Sequence, residues 1–593
     1  MKVLDRTVKI GATPEIFGDT GTFTASLEKI KDAFGVQTYK LSLNSAIPAR
    51  LPKGLSIQWR LPSIGVKGEW SAGALYEKRI RADWEASSVY SRVSVNAPVI
   101  CLFGNEDENI ISFACSDVVN TLEMEAPVRE EDDFIYCQLC FFTEKMPLTK
   151  TYQTEIRVDT RQVHFSHALA DISDWWASYE AIKPATIPQA ASFPVYSTWY
   201  SYHQNFTAEA LLEECRLSSK LGYKTIIIDD GWQTMDAGRG YDYTGDWEPE
   251  RITKTSDFVE AIHQLGMKCM FWYSVPFCGK KSNAYQQFRG KFLTENHHWA
   301  PVFDPRYPEV RAYLINKYAA ALINWNLDGF KLDFIDEFRT YPETILTKED
   351  GRDYASVDAA VDRLLTDVMR QLKKINPDVL IEFRQKYIGP AMRKYGNMFR
   401  AFDCPNDVVG NRMRTTDVRL LSGNTVVHSD MITWHTNEPV AVAALQFANI
   451  LFSVPQLSVR MNSIPRGHSQ MIAFYTKYWE ENKAILLEGE FIPFSPLANY
   501  PILSANDGEK VIYGVYENQI IQLDASFDEI HFINGKMSEQ IAFEFDGDFG
   551  SCEVLIYDCM GNIDYQDNEI EFEEGLHALE VPSAGIIIIK SLE

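Results

Sequence analysis

Positive charge is scarce in this 593-residue chain, which has 57 Lys and Arg against 82 Asp and Glu and a net charge of −25. Such a surface repels nucleic acid and anionic membranes, so we expect neither as a partner. No run of about 18 apolar residues is present, and we therefore expect no transmembrane helix. The first residues, Met1–Thr7, lack the apolar segment of a secretory signal, which predicts a cytoplasmic protein.

Cysteine is also sparse, with ten residues in the whole chain. Cys101, Cys115, Cys137 and Cys140 share one region, but their spacing fits neither a zinc ribbon nor a dense disulfide framework. Buried thiols in a reducing compartment are the simplest interpretation. We expect no metal and no cofactor.

Apolar residues are abundant at 46%, and aromatic residues reach 13% with 13 Trp and 28 Tyr. A chain of this length exceeds one hydrophobic core, so several domains are expected. The aromatic content suits a protein that packs indole rings on sugar faces, although most of these side chains belong to cores.

The periodicity of apolar residues divides the chain into three parts. Short alternating runs with turn residues between them predict a β-sandwich over 1–187 and a small antiparallel β-sandwich domain over 488–593. Between them, over 188–487, apolar strands alternate with amphipathic stretches of helical period, which is typical of a (β/α)8 TIM barrel. Eight strands are predicted, near Val195–Trp199, Thr225–Asp229, Lys268–Trp272, Gly329–Asp333, Val379–Phe383, Met398–Phe402, Asn424–His428 and Gln456–Val459.

Function in such a barrel lies where the strands end at their carboxyl side. Charged and indole side chains are crowded at those positions, and burying each charge without a partner would cost several kcal/mol. The set comprises Trp199, Asp229, Asp230, Trp232, Trp272, Lys331, Asp333, Arg384, Arg400, Asp403 and His428.

Lys331 and Asp333 lie two residues apart on one predicted strand, so both side chains point the same way. A neighbouring cation keeps a carboxylate ionised, as a nucleophile requires. A buried structural ion pair explains this tripeptide equally well. Two strands later, Arg400 and Asp403 supply a second carboxylate, and two carboxylates across a sugar-sized pocket are typical of glycoside hydrolysis. Asp407 is a rival for the acid/base role.

Asp229 and Asp230 follow a strand of Ile residues and precede Gly231 and Trp232. Two consecutive carboxylates can accept hydrogen bonds from vicinal hydroxyls, while an indole packs on the apolar face of a sugar. A helix N-cap is the structural alternative for Asp230. A divalent-metal hydrolase using Asp229, Asp230 and His428 is a further alternative, disfavoured by the lack of His or Cys at ligand spacing.

The ordered motifs resemble glycoside hydrolase family 36, which contains α-galactosidases and raffinose and stachyose synthases. The motifs are Trp199, Asp229-Asp230-Gly231-Trp232, Gly245-Asp246-Trp247, Phe303–Arg311, Lys331-Leu332-Asp333 and Arg400-Ala401-Phe402-Asp403. The resemblance covers nearly the whole chain and implies the three-domain architecture described above.

The resemblance further implies a retaining mechanism with Asp333 as nucleophile and Asp403 as acid/base. Under it, Asp229 and Asp230 bind sugar hydroxyls, Trp199 and Trp232 pack nearby, and Lys331 holds a ring hydroxyl beside the nucleophile. We assign substrate contacts to Trp199, Asp229, Asp230, Trp232, Trp272, Lys331, Arg384, Arg400, Asp407 and His428.

The segment after the fifth strand departs from the family pattern. Many members carry a Cys-Ser-Gly-Gly type segment there, whereas this chain has Arg384-Gln385-Lys386-Tyr387. The bulky cationic residues leave open whether the sugar is α-galactose, α-N-acetylgalactosamine or α-glucose, and whether water or another sugar is the acceptor. A non-catalytic carbohydrate-binding protein is a weaker alternative, since both carboxylates are present. An oligosaccharide or glycoside is the expected partner, and a homo-oligomer is compatible with the sequence.

Overall fold

The computed structural model describes residues 11–73, 76–85, 88–238 and 240–592. The first part of the chain forms two antiparallel sheets, in the strand orders β1-β4-β10-β9-β6 and β2-β3-β11-β8-β7-β5. Their strands are β1 Gly11–Phe17, β2 Thr24–Ala33, β3 Val36–Ala49, β4 Ser56–Pro62, β5 Gly68–Ser71, β6 Val89–Ser91, β7 Val99–Phe103, β8 Asn109–Cys115, β9 Leu122–Glu125, β10 Phe134–Phe141 and β11 Thr149–Asp159.

The two sheets pack face to face as a sandwich. Trp59 on β4 meets Phe113 on β8 edge to face, with their ring centroids 4.8 Å apart. Both side chains are fully buried, together with alternating residues of the other strands. The expected N-terminal β-sandwich is therefore confirmed as a fold.

A helix that we did not expect follows the sandwich. Helix α1, Phe165–Ala177, buries Phe165, Leu169, Ile172 and Trp176. These residues recur at helical spacing, so the all-β interpretation of this stretch was wrong about 165–177. The helical period is confined to 13 residues and is easily overlooked after eleven strands.

The central part of the chain alternates strands with helices. Its strands are β12 Val195–Ser197, β13 Thr225–Ile228, β14 Lys268–Ser274, β15 Phe292–Thr294, β16 Val302–Phe303, β17 Gly329–Asp333, β18 Leu380–Arg384, β19 Met398–Arg400, β20 Val426–His428 and β21 Gln456–Leu457. Its helices are α2 Trp199–Tyr202, α3 Ala208–Ser219, α4 Thr255–His263, α5 Asn283–Gln287, α6 Pro308–Trp325, α7 Val357–Ile375, α8 Val408–Ser422, α9 Val440–Ala448 and α10 Arg466–Glu488.

Eight of these strands form one sheet in the order β20-β19-β18-β17-β14-β13-β12-β21. Each neighbouring pair is parallel. Parallel bridges from His428 to Val454 and from Ile432 to Leu457 bring β20 beside the chain at β21. The sheet is thereby nearly closed, and the expected (β/α)8 barrel is confirmed, with all eight strands where the sequence predicts them.

The residues before and at the start of β17, the strand that ends in Asp333, explain its position. Helix α6 begins with Pro308 in its first turn and ends at Asn326, whose left-handed backbone (φ 56°) stops the helix. Gly329 then begins β17, and a Cβ there would lie 2.1 Å from the carbonyl oxygen of Leu380 on β18. Only glycine permits this approach, so β17 lies close against β18.

The last part of the chain forms a second sandwich, with sheet orders β22-β23-β24-β26-β31-β28-β29 and β25-β27-β30. Phe532 and Phe543 stack across its core at 5.3 Å. The strands are β22 Glu490–Phe494, β23 Ile502–Asn506, β24 Lys510–Val515, β25 Ile520–Leu523, β26 Glu529–Asn534, β27 Gln540–Phe545, β28 Gly550–Tyr557, β29 Ile563–Phe572, β30 Gly575–Glu580 and β31 Ile586–Ser591.

A buried carboxylate connects all three parts of the fold. Asp417 on α8 accepts hydrogen bonds from Trp70 of the first sandwich at 2.9 Å and from Tyr500 of the last part at 2.5 Å. Lys78 lies 3.2 Å from its other oxygen. These contacts fix the sandwiches against the barrel, whereas the boundaries 1–187, 188–487 and 488–593 stay our interpretation.

The N-terminal sandwich also reaches the carboxyl rim of the barrel. Arg92 donates to the backbone carbonyl oxygens of Asp336 and Phe338, just after β17. The amide of Asn96 donates to the carbonyl of Lys386, after β18, at 2.8 Å. The N-terminal sandwich therefore supports the loops that follow β17 and β18.

All ten cysteines lie in the described part of the chain, where they are buried and form no disulfide with one another. Over the residues that the structure describes, no helix combines the length and apolar character needed to cross a membrane.

Candidate active site

Asp333 ends β17 inside the carboxyl rim of the barrel, with a side chain that is only 8% exposed. The next residue, Phe334, adopts a left-handed backbone with φ 62°. Such a conformation costs a bulky residue roughly 1–3 kcal/mol. It turns the Phe334 amide back onto the Asp333 carboxylate at 2.8 Å. The turn therefore holds the carboxylate in place.

Three side chains complete the hydrogen bonding of Asp333. Trp272, at the rim end of β14, donates its indole N–H to Oδ2 at 2.9 Å. Arg384 donates Nε–H to Oδ1 at 2.9 Å, and the Tyr387 hydroxyl donates to the same oxygen. A carboxylate with this many donors is strongly favoured in its ionised form.

Burial of Asp333 by itself would raise its pKa, because a low-dielectric surrounding disfavours charge. The Arg384 and Lys331 cations and the hydrogen bonds from Tyr387 and Trp272 outweigh burial. The pKa of Asp333 therefore lies well below its usual range. Asp333 is an anion wherever the protein is folded near neutral pH, which is the state of a nucleophile.

Lys331 pairs directly with Asp229 and not with Asp333. Its ammonium lies 2.6 Å from Asp229 Oδ2, and both side chains are almost fully buried. The backbone amide of Asp229 in turn donates to the Thr198 hydroxyl at 3.0 Å. Lys331 still acts on Asp333 electrostatically, without a direct contact, because its charge contributes to the lowered pKa of Asp333.

Asp230 lies beside Asp229 and is held by two amides. Gln204 donates to its Oδ2 at 2.6 Å and Gln233 to its Oδ1 at 2.7 Å. Burial raises the pKa of Asp230 to about 7, and repulsion from Asp229 and Asp333 adds to the effect. Asp230 is not a helix N-cap, so this structural alternative does not apply.

The second candidate carboxylate, Asp403, belongs to a separate cluster around Arg400. Arg400 is buried on β19 and donates to Asp403 at 2.8 Å and to Asp430. Its Nε lies 3.6 Å from Glu382. Asp430 and Glu382 are fully buried, whereas the Asp403 side chain is 40% exposed. Asp403 is thus the carboxylate of this cluster that is open to a substrate.

Desolvation raises the pKa of Asp403, but the cations of Arg400, Arg384 and Lys331 bring it below the ordinary value. These charges therefore favour the carboxylate form of Asp403. That is the state of a general base, whereas donating a proton first requires protonation at acidic pH.

Arg384 ends β18 and lies among three aromatic rings. Its guanidinium carbon lies 5.4, 5.3 and 5.1 Å from the ring centres of Phe334, Tyr387 and Phe402. Its partner is the carboxylate of Asp333 itself. The charge is thereby compensated within the protein, so an anionic substrate is not required to explain it.

Aromatic rings form one wall beside Asp333. Trp272 stacks on Tyr241 at 6.1 Å, and Tyr241 also meets Phe334 edge to face at 5.5 Å. Trp199 lies half-buried in the short helix α2, where its ring meets His203 at 4.8 Å. Trp272 therefore lies beside Asp333, while Trp199 is the first residue of α2, just after β12.

Trp232 does not reach the space beside the Asp333 carboxylate, which corrects its assignment as a substrate contact. Its indole is fully buried, and its N–H donates to the Trp272 carbonyl at 2.8 Å. The ring packs among Trp247, Phe271 and Tyr273. The residue is a core side chain that supports β14.

His428 is also a structural residue here and not a substrate contact. It is fully buried, hydrogen-bonds the Ala191 carbonyl through Nε2 at 2.8 Å and contacts Gln456 through Nδ1. Burial lowers its pKa to about 4, so the imidazole is neutral. Among the described residues, no three His, Cys, Asp or Glu side chains are grouped as a metal site would need.

Asp407 caps helix α8, which corrects its assignments as a substrate contact and as the rival acid/base. Its Oδ1 accepts the Gly410 amide at 2.8 Å, as an N-cap residue does. Its Oδ2 accepts the hydroxyl of Tyr76 at 2.6 Å.

Several residues of the site escaped the sequence analysis. Tyr387 lies within the segment Arg384-Gln385-Lys386-Tyr387 that the sequence analysis identified. Its hydrogen bond to Asp333, however, depends on how the chain turns after β18. Glu382 contacts Arg400 from β18, and Asp430 contacts it from the loop after β20. A useful signal was the carboxylate of Glu382, which stands between the apolar residues Ile381 and Phe383 in β18.

Comparison by sequence gives no guide to this chain, since no protein-family model and no curated protein matches it. Comparison by structure gives clear matches. The family 36 α-galactosidase AgaA from Geobacillus stearothermophilus superposes with a TM-score of 0.65 at 13% identity, over 94% of this chain and 80% of that one. The α-galactosidase from Lactobacillus brevis gives 0.62 at 14% identity, over 98% and 85%.

The chain has the fold of the family 36 α-galactosidases. A shorter structure, the α-galactosidase TtGalA from Thermus thermophilus, matches with a TM-score of 0.51 at 15% identity, over 82% of this chain and 98% of that one. At identities this low the family 36 likeness establishes architecture, and the chemistry has to be argued from the side chains of this chain.

Proposed function

We propose that this protein is a family 36 type retaining α-glycosidase that hydrolyses terminal α-linked galactosyl residues. The observation that carries the proposal is the state of Asp333. It is a buried anion at the carboxyl end of a barrel strand, held by four donors, beside a cluster that presents a second carboxylate. Buried Asp417 also has several partners, and what distinguishes Asp333 is its place at the carboxyl end of a barrel strand beside that second carboxylate.

The proposed reaction is a double displacement. Asp333 attacks the anomeric carbon while Asp403 gives a proton to the departing oxygen, which leaves a covalent glycosyl-enzyme. Asp403, now a carboxylate, then takes a proton from water, and the water oxygen displaces Asp333. Arg400 orients Asp403 throughout, because its guanidinium is itself fixed by Asp430 and Glu382.

Substrate binding is assigned to the carboxylates and the indole beside Asp333. Asp229 and Asp230 accept hydrogen bonds from ring hydroxyls, and Lys331 donates to a hydroxyl while its ammonium pairs with Asp229. Trp272 packs against the sugar from β14. The structural relatives support a galactoside, since TtGalA is complexed with p-nitrophenyl α-D-galactopyranoside and variants of AgaA with raffinose and stachyose.

The test is turnover of nitrophenyl α-galactoside, α-glucoside and α-N-acetylgalactosaminide by the purified protein. We expect the galactoside to be hydrolysed fastest, because the bulk of Arg384 and Tyr387 beside Asp333 leaves little room for an N-acetyl group. Proton NMR during the first turnovers should show α-galactose before it equilibrates. Release of β-galactose first would refute retention, and inactivity on all three sugars would refute the glycosidase proposal.

A further inference from the structure

The two oxygens of the Asp333 carboxylate have unequal surroundings. Oδ1 accepts three hydrogen bonds, from the Phe334 amide at 2.8 Å, from Arg384 Nε at 2.9 Å and from the Tyr387 hydroxyl. Oδ2 accepts one from a described residue, Trp272 Nε1 at 2.9 Å. Each carboxylate oxygen has about two lone-pair sites. Oδ1 is therefore saturated, whereas Oδ2 keeps a lone pair.

We infer that Oδ2 is the attacking oxygen, and that Tyr387 and Arg384 are positioning residues that speed the departure of Asp333 in the second step. This inference rests on the proposed retaining mechanism and adds to it an assignment of the two oxygens. Nothing in the likeness to family 36 supplies it, because Arg384 and Tyr387 occupy the segment where this chain departs from the family pattern.

The electron balance of the first step assigns each oxygen a role. The free lone pair of Oδ2 forms the bond to the anomeric carbon, and the bond from that carbon to the leaving oxygen breaks. Asp403 supplies the proton that the leaving oxygen takes up. Oδ1 becomes the carbonyl oxygen of the resulting ester and stays within reach of its three donors.

The second step returns a negative charge to Asp333. Water attacks the anomeric carbon, Asp403 takes its proton, and the electron pair of the carbon–Oδ2 bond goes back to the carboxylate. Hydrogen bonds to a charged oxygen are roughly twice as strong as those to a neutral one. The donors on Oδ1 therefore strengthen as Asp333 leaves, and they lower the barrier of this step.

Tyr387 is suited to this role as a neutral donor. The residue is fully buried, and burial together with the Asp333 charge raises the pKa of its hydroxyl well above the usual value. The hydroxyl thus keeps its proton at any working pH. Its ring meets Phe383 edge to face at 6.1 Å and lies under Arg384. Substitution by Phe keeps these ring contacts and removes only the hydroxyl, which donates to Asp333 and also accepts the Phe334 amide at 3.1 Å.

The experiment compares Tyr387→Phe with the wild type on an aryl α-galactoside with a good leaving group, for which the second step limits kcat. We expect kcat to fall by about tenfold, as for a lost hydrogen bond to a charged group. KM should fall in parallel, kcat/KM should stay within about threefold, and the burst of aryl alcohol should be retained. Intact-protein mass spectrometry should show a glycosyl-enzyme that decays more slowly than in the wild type.

Tyr395→Phe is the matched control. Its phenol is also buried and also donates to a carboxylate, that of Asp362, outside the site. It should leave kcat, KM and the burst unchanged. Arg384→Lys is the second variant, used if Tyr387→Phe does not fold. It keeps a cation but loses the Nε donor, and it should shift the same parameters in the same direction.

Two outcomes are distinguishable. Equal losses in kcat and kcat/KM, or loss of the burst, would overturn the inference while the glycosidase proposal stands. A wild-type protein that forms no glycosyl-enzyme and turns over no α-glycoside would overturn the proposed function, and the inference with it.

Discussion

Replacing Arg384 by Met tests how the ionised state of Asp333 is maintained. The guanidinium Nε lies 2.9 Å from Oδ1 and both side chains are largely buried, at 11% and 8% exposure. A hydrogen bond to a charged group contributes about 1.5–3 kcal/mol. One pKa unit corresponds to about 1.4 kcal/mol, so losing this contact should raise the pKa of Asp333 by about 1–2 units.

The sign of the effect follows from which form Arg384 favours. The cation stabilises the carboxylate, so its removal lets Asp333 take up a proton at a higher pH. The acidic limb of the kcat/KM profile, which reports the free enzyme, should move upward by about 1–2 pH units. The assay is the pH dependence of kcat/KM on an activated aryl α-galactoside, with thermal melting to confirm folding.

A control separates the specific contact from the change in net charge. Arg339 follows β17, the strand that ends in Asp333, but its side chain is 50% exposed and pairs with Glu337. Arg339→Met makes the same substitution and should leave the acidic limb in place. If Arg384→Met also leaves the limb unchanged, Arg384 does not control the ionisation of Asp333, and the electrostatic argument fails.

Three further predictions concern the other carboxylates. Asp403→Ala should slow galactosides with poor leaving groups far more than activated aryl galactosides, and equal losses on both would remove Asp403 from the acid role. Asp229→Ala should cost a few kcal/mol of transition-state binding, measured as kcat/KM, because charged hydrogen bonds to hydroxyls are lost; unchanged kcat/KM would show that Asp229 is structural. Asp407→Ala should lower the stability by about 1 kcal/mol through the lost N-cap and leave turnover intact. A loss of turnover that is far greater for poor leaving groups than for activated aryl galactosides would restore Asp407 as the acid/base.

The barrel could be predicted because its signals are local. Eight apolar runs separated by amphipathic stretches define the strand positions, and carboxylates at the strand ends mark the rim. Asp229, Asp333 and Trp272 are brought together for that reason. Parallel strands in one closed sheet end on the same side, so residues distant in sequence become neighbours there.

The rest of the site depends on side-chain direction, which strand periodicity does not determine beyond the last strand residue. Trp232 and His428 lie at the expected strand ends but point into packed interiors, where an indole or a neutral imidazole finds its partner in a backbone carbonyl. Tyr387 reaches Asp333 only because the chain turns after β18. Asp407 is a cap because α8 begins at the next residue, a boundary that motif spacing does not fix.

The pH behaviour follows from the same surroundings. The cations around Asp333 and Asp403 lower both pKa values. The proton that Asp403 must donate is therefore lost below neutral pH, and turnover of substrates with poor leaving groups should be optimal on the acidic side of neutrality. A site in which burial raised the pKa of the acid would instead be expected to have its optimum at a higher pH.

The central claim is that Asp333 is the nucleophile and Asp403 the acid/base of a retaining site, and chemical rescue tests it most directly. Asp333→Ala and Asp403→Ala are each incubated with azide and an activated α-galactoside, and the anomer of the azide product is determined by NMR. In Asp333→Ala, azide replaces the nucleophile and should give the β-galactosyl azide. In Asp403→Ala, azide attacks the glycosyl-enzyme and should give the α-azide. Full activity of Asp333→Ala without azide, or an α-azide from it, would contradict the account.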